Sequence, residues 1–164
     1  MSDTADFAPL AVLIVDDEAP ARERLRDVLG DIADTQPTRI AGTAANGVEA
    51  LALLEHETVD LILTDIRMPV MDGVELARHV GRLERGPAVI FTTAYDEYAV
   101  RAFELAAVDY LLKPVRAARL AEALAKARRI RPPADEILRQ MAPTRRSHFS
   151  INERGRILLV PVGE

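Results

Sequence analysis

Charged residues close three short apolar runs in this sequence. Asp16 and Asp17 follow the first run, Asp65 ends the second, and Lys113 follows the third. Three carboxylates and one ammonium group are suited to binding a hard cation such as Mg²⁺ together with a phosphoryl group. A carboxylate with an ordinary pKa, near ~4, is ionised at neutral pH, so Asp65 would need no general base to attack phosphorus. The four residues predict a magnesium-dependent phosphoryl-transfer site if the fold brings them together.

The apolar runs alternate with helical patterns, and this alternation predicts a fold that would bring the four residues together. Between the runs, apolar residues recur every three or four positions, as they do in amphipathic helices. Right-handed crossovers then favour a doubly wound α/β fold, in which a five-stranded parallel sheet lies between two layers of helices as a three-layer sandwich. Strands are predicted over residues 11–15, 38–43, 59–64, 87–93 and 108–112.

The ends of the predicted strands should meet at one edge of the sheet. Parallel strands place their carboxyl ends on the same edge, where folds of this kind bind ligands. Of the adjacent Asp16 and Asp17, one can bind a metal directly and the other through a water molecule. Asp65 would be the nucleophile that forms an aspartyl phosphate, Lys113 would pair with the phosphoryl oxygens, and Thr93 would donate a hydroxyl hydrogen bond.

The composition narrows the class of protein. The 164 residues include no cysteine, which excludes disulfides, thiolate zinc sites and a thiol nucleophile. Only three histidines occur, and their wide scatter disfavours a histidine-rich metal site. A hydrophobic content of 49% is sufficient for the core of one full domain. No basic leader and no apolar run of membrane length occur, so a cytoplasmic location without membrane association is expected.

Charge is distributed unevenly along the chain. Residues 1–112 hold 21 acidic and 9 basic residues, whereas residues 113–146 hold 3 acidic and 10 basic residues. An acidic domain followed by a basic segment is typical of a regulatory domain that is joined to an anion-binding part of the protein. The same arginines could equally form a solvated helix face and a linker.

The last part of the sequence predicts a linker and the start of a second domain. Pro132 and Pro133 end the last predicted helix, and residues 131–147 have the composition of a flexible linker. Residues 148–162 alternate as in a β-hairpin, with a turn at 152–155. Because such a hairpin is marginally stable alone, we expect it to begin a domain that this chain truncates.

Four motifs follow one another along the chain. They are Val15-Asp16-Asp17-Glu18, then Thr64-Asp65-Ile66-Arg67-Met68-Pro69 with Asp72-Gly73, then Thr92-Thr93-Ala94, and finally Tyr110-Leu111-Leu112-Lys113-Pro114. In this order they resemble the receiver domain of two-component response regulators, the CheY-like family with a flavodoxin-like fold. The resemblance covers residues 10–130 and implies a receiver domain over residues 1–130.

The resemblance assigns a role to each residue of the site. It implies that Asp65 accepts a phosphoryl group from a sensor histidine kinase and that Lys113 and Thr93 contact that group. The peptide bond before Pro114 would be cis, which is rare except before proline. Mg²⁺ would have four protein ligands, which are Asp16 through water, Asp17, Asp65 and the backbone carbonyl of Arg67.

The resemblance also implies how the signal leaves the domain. Thr93 would move toward the phosphoryl group, and Tyr110 would turn inward into the vacated space. This change would repack the face formed by the helix predicted over residues 96–105, the fifth strand and the last helix. The same face is a candidate homodimer surface, where charged residues such as Asp109 and Arg119 could form salt bridges between copies.

A second, shorter resemblance concerns the end of the chain. Residues 146–149 and 154–162 are similar to the opening strands of a LytTR DNA-binding domain, so residues 148–164 would be the truncated start of such a domain. Together with the receiver domain, this ending is similar to the LytR/AlgR class of transcription regulators. The full-length protein would then bind DNA, whereas this chain lacks most of the residues that would contact it.

Other functions fit parts of the sequence. A magnesium-dependent phosphatase with an aspartate nucleophile would use a similar sheet, but enzymes of the haloacid dehalogenase type need a second aspartate two residues after the nucleophile, where this chain has Arg67. A stand-alone, phosphorylation-regulated interaction module would have no DNA-binding output, and the hairpin predicted after residue 147 disfavours it. Nucleotide binding lacks support because no glycine-rich loop follows the first strand.

Overall fold

The computed structural model describes residues 8–94 and 106–130, which form an α/β fold. The helix predicted over 96–105, the linker and the hairpin predicted after residue 147 lie outside these residues. Strands and helices alternate along the described part of the chain. Their bounds are β1 Leu10–Val15, α1 Ala19–Asp31, β2 Thr38–Ala44, α2 Gly47–Leu54, β3 Leu61–Asp65, α3 Gly73–Gly81, β4 Ala88–Thr93, β5 Asp109–Leu112 and α4 Ala117–Ile130.

The five strands form one parallel sheet in the order β2-β1-β3-β4-β5. The chain first winds from β1 to β2 and then passes back over β1 to β3, so the strand order reverses beside β1. In doubly wound folds the crevice at the carboxyl ends of the strands around such a reversal is where ligands bind. The predicted fold class is confirmed, and the crevice lies where the sequence analysis places the charged residues.

Two core layers, one on each face of the sheet, follow from the alternation of side chains along the strands. The first core layer packs the sheet against α1 and α4, and Ile14, Leu63, Ile90 and Leu111 are its strand members nearest the carboxyl edge. The second core layer packs the sheet against α2 and α3, with strand members that include Val15, Ile62 and Phe91. A residue's position along its strand therefore decides which layer its side chain faces.

The helix ends follow the local sequence closely. Pro20 lies in the first turn of α1, where a missing N–H costs little. The side chains of Asn46 and Asp72 cap α2 and α3 by accepting hydrogen bonds from backbone N–H groups in the first turn. α1 ends at Asp31, one residue after Gly30. None of the described helices combines the length and apolar character needed to span a membrane.

Candidate functional site

The strand ends bring Asp16, Asp65 and Lys113 into contact at one edge of the sheet. Asp16 follows β1, Asp65 is the last residue of β3, and Lys113 follows β5. Lys113 Nζ donates to Asp16 Oδ2 at 2.8 Å and to Asp65 Oδ2 at 3.1 Å. Because β4 lies between β3 and β5, the Lys113 side chain extends across the end of β4 to reach both carboxylates.

Asp17 completes a cluster of three carboxylates. One carboxylate oxygen from each of Asp16, Asp17 and Asp65 can be chosen so that all three lie within 4.8 Å of one another. Asp16 and Asp65 are buried and Asp17 is exposed, so the cluster opens to solvent on the side of Asp17. Mg²⁺ prefers one or two protein carboxylates together with retained water molecules and phosphate oxygens. These residues fit that ion.

Backbone and side-chain hydrogen bonds fix the position of Asp16. Its Oδ1 accepts from the backbone N–H of Glu18 at 3.0 Å, and its backbone N–H donates to the Ala44 carbonyl at 3.0 Å. The guanidinium of Arg22, in the first turns of α1, donates to the Asp16 carbonyl at 2.6 Å. Oδ2 of Asp16 is thereby left to face Lys113.

The loop after β3 packs closely on the backbone of Asp65. Oδ1 of Asp65 accepts from the Ile66 N–H at 2.7 Å, and the Thr64 hydroxyl donates to the Asp65 carbonyl at 2.8 Å. The Gly73 N–H donates to the Ile66 carbonyl at 2.8 Å. A Cβ at position 73 would collide with the Asp65 carbonyl oxygen, so glycine is required for this close approach.

The electrostatics of the site alter the pKa of both partners of the ion pair. Burial raises the pKa of Asp65, and the neighbouring Asp16 carboxylate raises it further. The Lys113 ammonium and the Ile66 N–H act to lower this pKa but do not cancel the effect of burial. Burial acts to lower the pKa of Lys113, but the two carboxylates outweigh it and the net pKa is raised. The ordinary pKa that the sequence analysis assumes for Asp65 is therefore wrong, because a sequence carries no measure of burial. A bound divalent cation would lower this pKa again.

The sequence matches one known family over most of its length. Residues 12–125 match the family model described as the response regulator receiver domain. The chain belongs to this family.

Relatives of this receiver domain protein are bacterial regulators. The chain is 44% identical over 162 residues to the positive alginate biosynthesis regulatory protein of Pseudomonas aeruginosa, covering 93% of this chain and 62% of the relative. It is 44% identical over 128 residues to the transcriptional regulatory protein BtsR of Escherichia coli, covering 77% of this chain and 51% of the relative. The chain thus spans less than two thirds of the length of these curated relatives.

Solved receiver structures share the fold. The response regulatory domain of protein mrkE from Klebsiella pneumoniae superposes with a TM-score of 0.67 at 36% identity, covering 74% of this chain and 97% of that domain. The receiver domain of AraT from Geobacillus stearothermophilus gives a TM-score of 0.64 at 37% identity, covering 75% and 95%. The matched region thus corresponds to one complete receiver domain.

The remaining predicted site residues of the receiver domain lie at or close to the carboxyl ends of β3, β4 and β5. Thr93 is fully buried at the end of β4, and Arg67 is exposed in the loop after Asp65. The peptide bond between Lys113 and Pro114 is cis. Tyr110 packs against the second core layer, which also contains Phe91, two residues before Thr93. The alternation of β4 therefore places Thr93 on the same face of the sheet as Tyr110.

Two residues that the structure brings to the site were not predicted from the sequence. Arg22 supports the Asp16 backbone from a helix, and its position six residues later gives no local signal for that contact. Thr92 pairs in register with Asp65 across β3 and β4 and is fully buried. The alternation of core residues along β4 could have shown that Thr92, and not Thr93, shares the face of Asp65.

Proposed function

We propose that this chain is the phosphoacceptor part of a two-component response regulator, in which Asp65 receives a phosphoryl group from a sensor histidine kinase. One observation supports this proposal most directly. Lys113 lies between the buried carboxylates of Asp16 and Asp65, and Asp17 lies beside them. A cation beside an acceptor carboxylate reduces the repulsion between that carboxylate and an incoming phosphoryl group.

The proposed reaction is a phosphoryl transfer between two side chains. An oxygen of the Asp65 carboxylate attacks the phosphorus of a phosphohistidine, a P–O bond forms, and the P–N bond breaks with its electron pair returning to the histidine nitrogen. The Lys113 ammonium moves from the carboxylates to the phosphoryl oxygens. Thr93 donates its hydroxyl hydrogen to the same group after its side chain turns over the end of β4.

The acidic cluster would hold Mg²⁺ for this transfer. Asp17 and Asp65 would bind the ion directly, Asp16 through a water molecule, and the backbone carbonyl of Arg67 would add a further oxygen ligand. When bound, Mg²⁺ would neutralise charge on the phosphoryl oxygens and on the three carboxylates. The exposure of Asp17 supports this assignment because it gives the ion a route from solvent.

The test is phosphorylation by a small donor. Wild-type protein incubated with Mg²⁺ and acetyl phosphate should gain the mass of one phosphoryl group in intact mass spectrometry. Asp65→Asn should gain none, whereas Asp27→Asn, which changes an exposed aspartate of α1, should behave as wild type. Incorporation that survives in Asp65→Asn would contradict the proposal.

The same experiment separates a receiver from a phosphatase. A phosphatase would release inorganic phosphate over many turnovers, whereas a receiver accumulates the aspartyl phosphate and loses it slowly. The named relatives are regulators, and Arg67 stands where a phosphatase of the haloacid dehalogenase type has its general acid. We therefore expect accumulation of the phosphorylated protein without sustained release of phosphate.

Thr93 and Tyr110 would form the switch that reports phosphorylation. Both side chains lie on the face of the second core layer, Thr93 buried at the strand end and Tyr110 half-buried on β5. Movement of Thr93 toward the phosphoryl group would leave space that the Tyr110 ring can enter. Such a change at β5 would bias a two-state arrangement of the adjoining surface.

The output of the full-length protein would be transcription regulation through DNA. The names of the relatives support this assignment, since one is a transcriptional regulatory protein and another a positive regulatory protein. Residues 131–147 would be the linker and residues 148–164 the start of a LytTR domain, in a protein of the LytR/AlgR class that acts in the cytoplasm. Binding of promoter fragments by the full-length protein, but not by residues 1–130, would support this; equal binding by both would contradict it.

The face formed by the helix predicted over residues 96–105, β5 and α4 is the proposed homodimer face. Within one copy, Arg119 already forms two hydrogen bonds with Asp109, at 2.7 and 2.9 Å, and Lys126 lies 3.3 Å from the same carboxylate. These charges are therefore satisfied internally, and a dimer would have to add other contacts. Sedimentation velocity should show a larger species after treatment with acetyl phosphate and Mg²⁺, and unchanged monomer would argue against this face.

A further inference from the structure

One buried hydroxyl at the edge of the sheet has no role in the proposed chemistry so far. Among the described residues, Oγ1 of Thr92 is the buried side-chain N or O atom that has no hydrogen-bond partner. Thr92 is fully buried. A buried hydroxyl without a partner lowers stability, and a valine of nearly the same shape would avoid that loss.

The alternation of the strands places Thr92 on the same face as the phosphoacceptor. Thr92 lies two residues after Ile90, and Asp65 lies two residues after Leu63, both members of the first core layer. Thr92 is also the register partner of Asp65 in the pairing of β3 with β4. Its side chain is therefore the immediate neighbour of Asp65 on that face of the sheet.

The Lys113 side chain passes over this position. Lys113 lies two residues after Leu111, which belongs to the first core layer and is the register partner of Thr92 on β5. From β5 its ammonium reaches Asp65 on β3 and Asp16 beyond β1, so the chain of methylenes crosses β4 on the face of Thr92.

The ammonium of Lys113 has one more donor than the described carboxylates use. An ammonium carries three N–H groups. Asp16 and Asp65 each accept one hydrogen bond from it. Movement of the ammonium toward a phosphoryl group on Asp65 would lengthen its contact with Asp16 and would shift it along the end of β4.

We propose that Thr92 is a positioning residue of the phosphoacceptor site, whose hydroxyl accepts a hydrogen bond from the Lys113 ammonium once a phosphoryl group is on Asp65. This inference rests on the proposed function and extends it. The hydroxyl has no partner before phosphorylation and gains one with the phosphoryl group, so its interaction favours the phosphorylated arrangement specifically. Thr93, on the other face, donates to the phosphoryl group and takes part in the switch, whereas Thr92 accepts a hydrogen bond from the Lys113 ammonium.

Substitution of Thr92 tests the inference through the rate of phosphorylation. Thr92→Val removes the hydroxyl and keeps the shape, so phosphorylation by acetyl phosphate with Mg²⁺ should be slower by about tenfold, the effect expected for a hydrogen bond to a charged group. Thr92→Ser keeps the hydroxyl and should retain a rate within about threefold of wild type. Rates are followed by intact mass spectrometry.

Two further measurements distinguish this role from a structural one. The thermal midpoint of unphosphorylated Thr92→Val should equal or exceed that of wild type, because the lost hydroxyl had no partner. The rise in midpoint on adding beryllium fluoride with Mg²⁺, which mimics the phosphoryl group, should be smaller in Thr92→Val than in wild type or Thr92→Ser.

The outcomes separate this inference from the proposed function. If wild-type protein takes up no phosphoryl group, the proposed function and the role of Thr92 are both contradicted. If wild type is phosphorylated and Thr92→Val matches it in rate and in the beryllium fluoride shift, only the role of Thr92 is overturned. A slow Thr92→Val whose midpoint is several degrees below that of wild type, with Thr92→Ser equally slow, would also overturn it, since loss of packing would then explain the rate.

Discussion

Lys113 Nζ lies 2.8 Å from Oδ2 of Asp16, a residue 97 positions earlier in the chain. The Asp16 side chain is fully buried, while a quarter of the Lys113 side chain remains exposed. A buried carboxylate is costly without a partner. Lys113 therefore has a structural role in the resting protein as well as a proposed role in phosphoryl transfer.

Removal of this lysine should destabilise the protein when no metal is present. We expect Lys113→Ala to lower the free energy of unfolding by about 3 kcal/mol in EDTA, because Asp16 and Asp65 lose their shared cation. Lys126→Ala is the matched control. Lys126 is more exposed, and Asp109 would keep its two hydrogen bonds with Arg119, so its loss should be below about 1 kcal/mol. Urea denaturation measures both, and equal losses would contradict this account.

Replacement of the acceptor should have the opposite effect on stability. Burial holds the pKa of Asp65 above its usual value of 3.8, so the folded state binds this proton more tightly than the unfolded state does. Wild-type stability should therefore fall as pH rises from about 4 through the folded pKa. Asp65→Asn lacks this loss, so at pH 7 in EDTA it should be more stable than wild type.

The pH dependence provides the check on that expectation. The stability difference between Asp65→Asn and wild type should be smallest below the usual pKa of 3.8, where the acid is largely protonated in both states, and should grow with pH to a plateau above the folded pKa. Thermal unfolding over this range measures it. A variant that is less stable than wild type at pH 7 would show that the ion pair with Lys113 outweighs burial.

Magnesium should stabilise the protein through the acidic cluster. A ligand that binds only the folded state raises the unfolding midpoint, so Mg²⁺ should raise that of wild type as its concentration exceeds the dissociation constant. In Asp17→Asn the rise should be strongly reduced, since the variant removes one of three clustered carboxylates. Asp27→Asn carries the same change of charge on the exposed face of α1 and should keep the wild-type shift. Equal shifts in both variants would place the ion elsewhere.

Two glycines of α3 should respond differently to the same substitution. A Cβ at Gly73 meets the Asp65 carbonyl oxygen, whereas a Cβ at Gly81 meets nothing within 4 Å. Gly73→Ala should therefore lower stability by about 3 kcal/mol or more and impair phosphorylation, because the backbone under Asp65 must move. Gly81→Ala should be neutral or stabilising by up to about 1 kcal/mol. Chemical denaturation compares them, and a tolerated Gly73→Ala would contradict the packing described.

Arg128 should stabilise the end of the sheet opposite the site. Its guanidinium donates to Gln36 Oε1 at 2.7 Å and to the carbonyls of Ala8 and Pro37 at 2.6 Å each, joining α4 to the start of β1 and to the segment before β2. Arg128→Ala should cost about 2 kcal/mol or more. Arg129→Ala, next in sequence but exposed, should change stability by less than about 0.5 kcal/mol. Similar effects in the two variants would show that the three hydrogen bonds contribute little.

The sequence by itself determined the fold class and the members of the charged cluster. Alternating apolar runs and helical periods are local properties, and they predicted the parallel strands that the structure contains. Asp16, Asp17, Asp65 and Lys113 could be named because a parallel sheet collects the residues at its strand ends along one edge. The position of Pro20 in the first turn of α1 can also be predicted from the sequence, since proline's preference for the first turn of a helix is local.

Only the tertiary structure decided which of these side chains meet, and in what environment. The reach of Lys113 across β4 to Asp16 depends on strand order, and the contact of Arg128 with Ala8 joins residues 120 positions apart. The raised pKa of Asp65 depends on burial, which is a property of the packed molecule. Adjacent threonines look alike in sequence, yet strand register places Thr92 beside Asp65 on one face of the sheet. Distances and desolvation of this kind arise when distant segments pack, so local periodicity cannot supply them.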